Sequence, residues 1–110
     1  MKKYNNFNDF YPFYLSEHMD PICRVFHFIG TLGVIVIIAL SFYNIKLLLL
    51  APILGYGFAW AGHFFFEKNT PATFTYPIYS FIGDWIMFKD IIIGKESIIN
   101  PKKRNNHEIK

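Results

Sequence analysis

Two long apolar runs separated by only three residues constrain this chain more than any other feature. Residues 25–43 (VFHFIGTLGVIVIIALSFY) contain His27, Thr31 and Ser41 as their only interruptions, and residues 47–66 (LLLLAPILGYGFAWAGHFFF) follow almost at once. About 20 apolar residues in an α-helix cover the roughly 30 Å hydrocarbon core of a bilayer. The link Asn44-Ile45-Lys46 permits nothing but an antiparallel turn, and its asparagine suits the C-terminal end of a helix. The expectation is an all-α protein built on a membrane-spanning helical hairpin.

Composition supports a membrane setting, because 53% hydrophobic and 20% aromatic residues in a chain of 110 are too many for a small water-soluble domain. Residues 1–98 are read as a single helical membrane domain and 99–110 as a basic polar tail. The tail holds Lys102, Lys103, Arg104 and Lys110, offset by Glu108, and supplies most of the net charge of +3. Beside a membrane segment such a tail is an orientation signal or a contact for anionic lipid, so nucleic acid is not the expected partner. Lys2, Lys3 and Arg24 at one end, with Lys68 and the tail at the other, place both termini on the cytoplasmic side, opposed only by Lys46. No cleavable signal is expected, since Met1-Lys2-Lys3 leads into Asn5, Asn6, Asn8 and Asp9 rather than an apolar stretch. The lone Cys23 is read as a packed thiol.

Two further segments flank the hairpin. Residues 7–21 are aromatic but carry Asp9, Glu17, His18 and Asp20, which suits a short interfacial helix ending before Pro21. Residues 74–93 form a third hydrophobic helix, interfacial, re-entrant or spanning, and a helix that dips into or lies in the interface is preferred because Pro77, Asp84, Lys89 and Asp90 interrupt it. Ile78, Phe81, Ile82, Trp85 and Ile92 share one face of that helix, with Ser80 and Asp84 on another.

Ionisable groups at membrane depth are costly and mark chemistry. His27 and His63 each lie 18 residues from Ile45, so the hairpin brings them level, roughly 27 Å from the turn. His63 continues a seam of small residues, Gly55 and Ala59, while His27 shares its side with Gly30, Thr31 and Val34, so two tightly packed helices would turn the imidazoles toward each other. Glu67 stands one turn beyond His63. Two or three histidines with a carboxylate and open positions suit non-haem Fe(II), the alternative being interior histidines bonded to carbonyls. His18 is either a third ligand or a solvated interface side chain. Glu67 is either a ligand or a partner of Lys68. Asp84 is either an acceptor behind a ligand histidine or the wet side of its helix. Arg24 either steers a substrate carboxylate or sets topology. His107 falls in the polar tail and carries no expected role. The chain has no glycine-rich phosphate loop, paired-cysteine motif or nucleophile elbow.

The strings Phe10-Tyr-Pro-Phe-Tyr-Leu-Ser-Glu-His18, Pro21-Ile-Cys-Arg24, His27-Phe-Ile-Gly-Thr31 and Gly55-Tyr-Gly-Phe-Ala-Trp-Ala-Gly-His63-Phe-Phe-Phe-Glu-Lys-Asn-Thr-Pro-Ala72 resemble a membrane family. Its best-known branch is the fungal 2-hydroxy fatty acid dioxygenase of phytosphingosine breakdown, and this chain is similar to a compact bacterial branch. The resemblance covers roughly residues 10 to 95. It implies Fe(II) as cofactor and His18, His27 and His63 as ligands, with Glu67 at the family's acidic position. It also implies one-carbon shortening of long-chain 2-hydroxy acids. A bacterial inner-membrane location, with membrane lipid as surroundings, follows from the same likeness, and homo-oligomerisation stays open. The competing reading is a non-catalytic membrane module that packs with lipid or partner helices.

Overall fold

The computed structural model describes residues 3–101. Lys2 and the tail residues Lys102, Lys103, Arg104, His107, Glu108 and Lys110 lie outside the described residues. Four α-helices follow one another, α1 (Phe7–Ser16), α2 (Pro21–Leu40), α3 (Leu50–Ala61) and α4 (Pro77–Ile92), with no strand among the described residues. A 3-10 turn, Ile45–Leu49, leads into α3, and a π-helical turn, Gly62–Glu67, continues it, so that Ile45–Glu67 forms one rod of 23 residues. This rod and α2 are both long and apolar enough to cross a membrane.

The helix starts follow capping chemistry. Asn6 accepts the Asp9 N–H at 2.8 Å, and Asp20 accepts those of Ile22 and Cys23 at 2.8 and 3.1 Å, just before Pro21 at the first position of α2. Asn44 behaves otherwise than expected. Rather than closing α2, which ends at Leu40, it has an extended backbone and accepts the Lys46 N–H at 3.1 Å, so it caps the following turn. An extended residue with its side-chain oxygen facing forward satisfies the orphan donors of the next helix, not the carbonyls of the last one.

The expected seam between α2 and the α3 rod exists and works by backbone approach. A Cβ added at Gly30 would lie 3.2 Å from the Gly55 carbonyl oxygen, and one at Gly62 would lie 3.2 Å from both Cα and Sγ of Cys23. Cys23 is indeed fully packed. Much of the hairpin is open: only 28% of the most apolar stretch of α2, and 11% of that in the rod, is covered by protein.

At the base of the hairpin α1 and α4 close over the seam. Phe10, Tyr14, Leu15, Tyr76 and Met87 form a buried cluster, bordered by Phe7, Tyr11 and Tyr79 in edge-on and stacked ring contacts. The 16-residue α4 has the two faces its sequence anticipates. Its small and polar face, Ser80, Gly83, Met87 and Asp90, points into the protein, while Ile78, Phe81, Ile82 and Ile92 point out.

A candidate metal centre at the base of the hairpin

Three buried imidazoles meet where α1, α2 and the rod converge. His18 follows α1, His27 stands in the second turn of α2, and His63 occupies the π-helical turn. The Nε2 atom of His18 is 3.1 Å from that of His27 and 2.9 Å from that of His63, and all three side chains are at most 4% exposed. Each Nδ1 is already engaged: with the Tyr14 carbonyl at 2.6 Å, the Cys23 carbonyl at 2.9 Å and Asn69 Oδ1 at 2.6 Å, respectively. Carbonyl oxygens only accept, so in each ring the proton sits on Nδ1. The Asn69 amide is oriented by its own Nδ2, which donates to the Glu17 carbonyl at 3.0 Å. Three Nε2 lone pairs therefore face one another with no proton between them. Burial, and then the adjoining His27 and His63, hold the His18 pKa well below the ordinary histidine value, which keeps this ring in its neutral, ligating form.

Such a cluster fits a cation. Metal–imidazole bonds of about 2.0–2.1 Å place ligands at right angles about 3 Å apart, against about 3.4 Å at the tetrahedral angle. The 2.9 and 3.1 Å that separate the His18 nitrogen from its two neighbours are of that order, and all three ligand atoms lie within 4.8 Å of one another. His18, His27 and His63 together are able to hold a metal ion.

The surroundings explain how the rings are held. The Tyr14 ring stacks on His18, with centroids 4.0 Å apart, and its hydroxyl donates to Asp84. Burial pushes the Asp84 carboxyl up to about 7, against the opposing effect of this hydrogen bond. Arg24, fully buried, donates from Nε to the His18 carbonyl and from Nη1 to Glu96 and to the Ser97 carbonyl, both at 3.0 Å. At the end of the rod, the Lys68 N–H reaches the His63 carbonyl at 2.7 Å, the five-residue span of a π turn. Lys68 then adopts a left-handed conformation (φ 64°), which stops the helix and folds Asn69 back onto His63. Glu67 stands apart from the cluster: its Oε1 accepts the Asp20 N–H at 2.7 Å, tying the rod to the start of α2. Asp84 reaches the histidines through Tyr14. Tyr14 and Asn69, which orient two of the rings, were not singled out by sequence reasoning. Asn69 carried a signal, a polar residue just past the end of an apolar run, but only the π turn places it beside His63.

On its open side the cluster borders a chamber of about 10 Å³, close to the room one water needs, lined also by Trp60, Ser80 and Asp84. His27, Ala59 and Asp84 are shared with a larger groove of about 380 Å³ between α2, the rod and α4.

No curated protein and no solved structure matches the chain. A family model does, over residues 4–96, a range that contains all four helices, the three histidines, Tyr14 and Asn69. By that match, and in keeping with its buried histidine cluster, the chain belongs to the 2-hydroxy-palmitic acid dioxygenase Mpo1-like family.

Proposed function

We propose that this protein is an integral-membrane, Fe(II)-dependent dioxygenase that shortens 2-hydroxy fatty acids by one carbon. One observation carries the reading: three buried imidazoles with every Nδ1 tied to an oxygen and every Nε2 turned to a common point, in a chain of this family. The overall change balances without a reductase. A 2-hydroxy acid and dioxygen become the acid one carbon shorter, carbon dioxide and water, and the four electrons released by the substrate are those that dioxygen takes up.

His18, His27 and His63 would hold iron, which would supply the centre for the chemistry between the hydroxy acid and dioxygen. The protein's own residues do the rest. His18, His27 and His63 present fixed lone pairs. Tyr14, the Cys23 carbonyl and Asn69 hold the rings against rotation and raise their basicity. Arg24 positions the His18 backbone, and Glu67 fastens the rod to α2. The apolar groove keeps bulk water from the histidines. In this reading the hairpin crosses the bilayer with its turn at the far side and both termini cytoplasmic, so an acid extracted from the cytoplasmic leaflet meets the site head first.

The test is mass spectrometry of products after detergent-purified protein, loaded anaerobically with Fe(II), is given 2-hydroxypalmitic acid and oxygen. A fifteen-carbon acid is expected, absent when His18, His27 and His63 are all alanine. Stably bound iron without that product points to another substrate. Neither iron nor product overturns the reading in favour of a non-catalytic membrane module.

A further inference from the structure

The groove and the chamber adjoin, with His27, Ala59 and Asp84 as shared walls, and they differ in character. The groove walls are apolar, among them Val34, Ile38, Leu48, Ala51 and Phe81. Apart from Tyr56 and Trp85, its polar lining residues, His27, Thr31 and Asp84, gather at the histidine end. There it borders the small chamber across His27, Ala59 and Asp84. Two chamber residues carry buried donors that no acceptor satisfies among the described residues: the Trp60 indole N–H and the Ser80 hydroxyl. Native proteins rarely leave such donors unpaired, and a pair of them beside an apolar channel calls for an occupant with oxygen acceptors at one end. The channel itself calls for a chain without polar groups.

We propose that the groove takes one unbranched acyl chain, that Trp60 and Ser80 donate to one oxygen of its carboxylate in the one-water chamber, and that the distance from Ala59 to Leu48 sets the chain length the site discriminates. This rests on the reading above and adds to it the binding mode and the residues that measure the substrate. Ala59 and Leu48 are eleven residues apart in the rod, about 16 Å at about 1.5 Å per residue. An extended chain with carbon–carbon bonds of about 1.5 Å advances about 1.25 Å per carbon, so about 13 carbons fill the groove beyond the head. Ala51 lies eight residues from Ala59, about 12 Å, or about ten carbons, along the same path. A large side chain at Ala51 therefore obstructs long chains and leaves short ones room.

Equilibrium binding of radiolabelled acids to the detergent-purified full chain, with and without metal, tests this independently of turnover. The probes are the eight- and sixteen-carbon 2-hydroxy acids and the sixteen-carbon primary alcohol. For Ala51→Phe, the affinity for the long acid relative to the short one should fall by about tenfold, because several methylenes lose their burial, and Ala51→Leu should fall between this and the parent. The double variant Trp60→Phe, Ser80→Ala should weaken binding of both acids by about tenfold while the alcohol binds as before, since only the acids offer a carboxylate. Equal effects on long and short acids at Ala51 would overturn the groove as a ruler. Equal effects on acid and alcohol would overturn the carboxylate assignment. If length-dependent binding is found but no acid is converted, the binding mode stands and the reaction proposed above fails. Conversion without any length dependence gives the reverse.

Discussion

The two ends of the hairpin obey opposite rules of burial. At the tip, Phe42, Tyr43, Ile45 and Leu49 are between 68% and 91% exposed, although they are among the most apolar residues present. At the base, the side chains most completely enclosed include Arg24, His18 and His63 beside Tyr14, Phe10 and Met87. In water that pattern would be inside out. In lipid it is the expected one, because apolar side chains gain nothing by leaving hydrocarbon, whereas every polar group must find a partner within the protein. Helix α4 repeats the lesson with Ser80 and Asp90 inside and Ile78 outside. Precision in this molecule is concentrated at the base, and the tip is tolerant.

The sharpest way to break that contrast is a matched pair of glycine substitutions. A Cβ at Gly83 would lie 2.9 Å from two atoms of the Tyr14 ring, which is fully buried and stacked on His18. The ring has nowhere to retreat without carrying the histidine with it. Gly83→Ala should cost about 1–3 kcal/mol of stability from overpacking, with clear loss of bound metal. A Cβ at Gly57, on the exposed side of the rod, meets nothing within 4 Å. Gly57→Ala should therefore be neutral or slightly stabilising, within about 1 kcal/mol, since alanine favours helix. Thermal unfolding in detergent and metal content per chain measure both. Equal effects from the two would mean that the enclosed base and the exposed flank of the rod are not packed to different standards.

A second pair compares two asparagines with different work. Removing the Asn69 acceptor frees the His63 ring, and loss of such a supporting bond lowers metal affinity by about 10–100-fold. Asn69→Ala should show this in a chelator competition. Asn44→Ala, which removes a cap at the tip, should cost about 0.5–2 kcal/mol and leave metal affinity unchanged.

What the sequence made legible follows the same division. Periods and lengths revealed the hairpin, the end of α1 before Pro21, the Gly30–Gly55 seam and the level placement of His27 and His63, because each follows from regular helix geometry. The missing parts depend on departures from it. Glu67 lies one turn from His63 only in an α-helix; the π turn at Gly62–Glu67 shifts it toward Asp20 and frees Asn69 for the ring. The two faces of α4 were visible, but which one faced inward depended on α1 lying against it. Asn44 could have ended one helix or begun the next, and only its backbone conformation decides.

The smallest effect concerns pH and separates two opposed groups at the base. In the metal-free protein the His18 pKa lies well below its ordinary value, so the unfolded chain binds the proton more readily, and stability is lost as pH falls below about 6.5. Asp84 acts in the other sense. Its carboxyl is raised to about 7, so the folded state holds a proton the unfolded chain releases, and stability declines as pH rises from the ordinary carboxylate range until Asp84 ionises near that value. Between about pH 4 and 6.5 the two slopes oppose each other, each at most about 1.4 kcal/mol per pH unit. Asp84→Asn removes one and leaves the other. The metal-free variant should lose thermal stability more steeply on acidification than the parent, while above about pH 7 the two curves run parallel. Parallel curves throughout would show that Asp84 does not titrate as its burial beside Tyr14 requires.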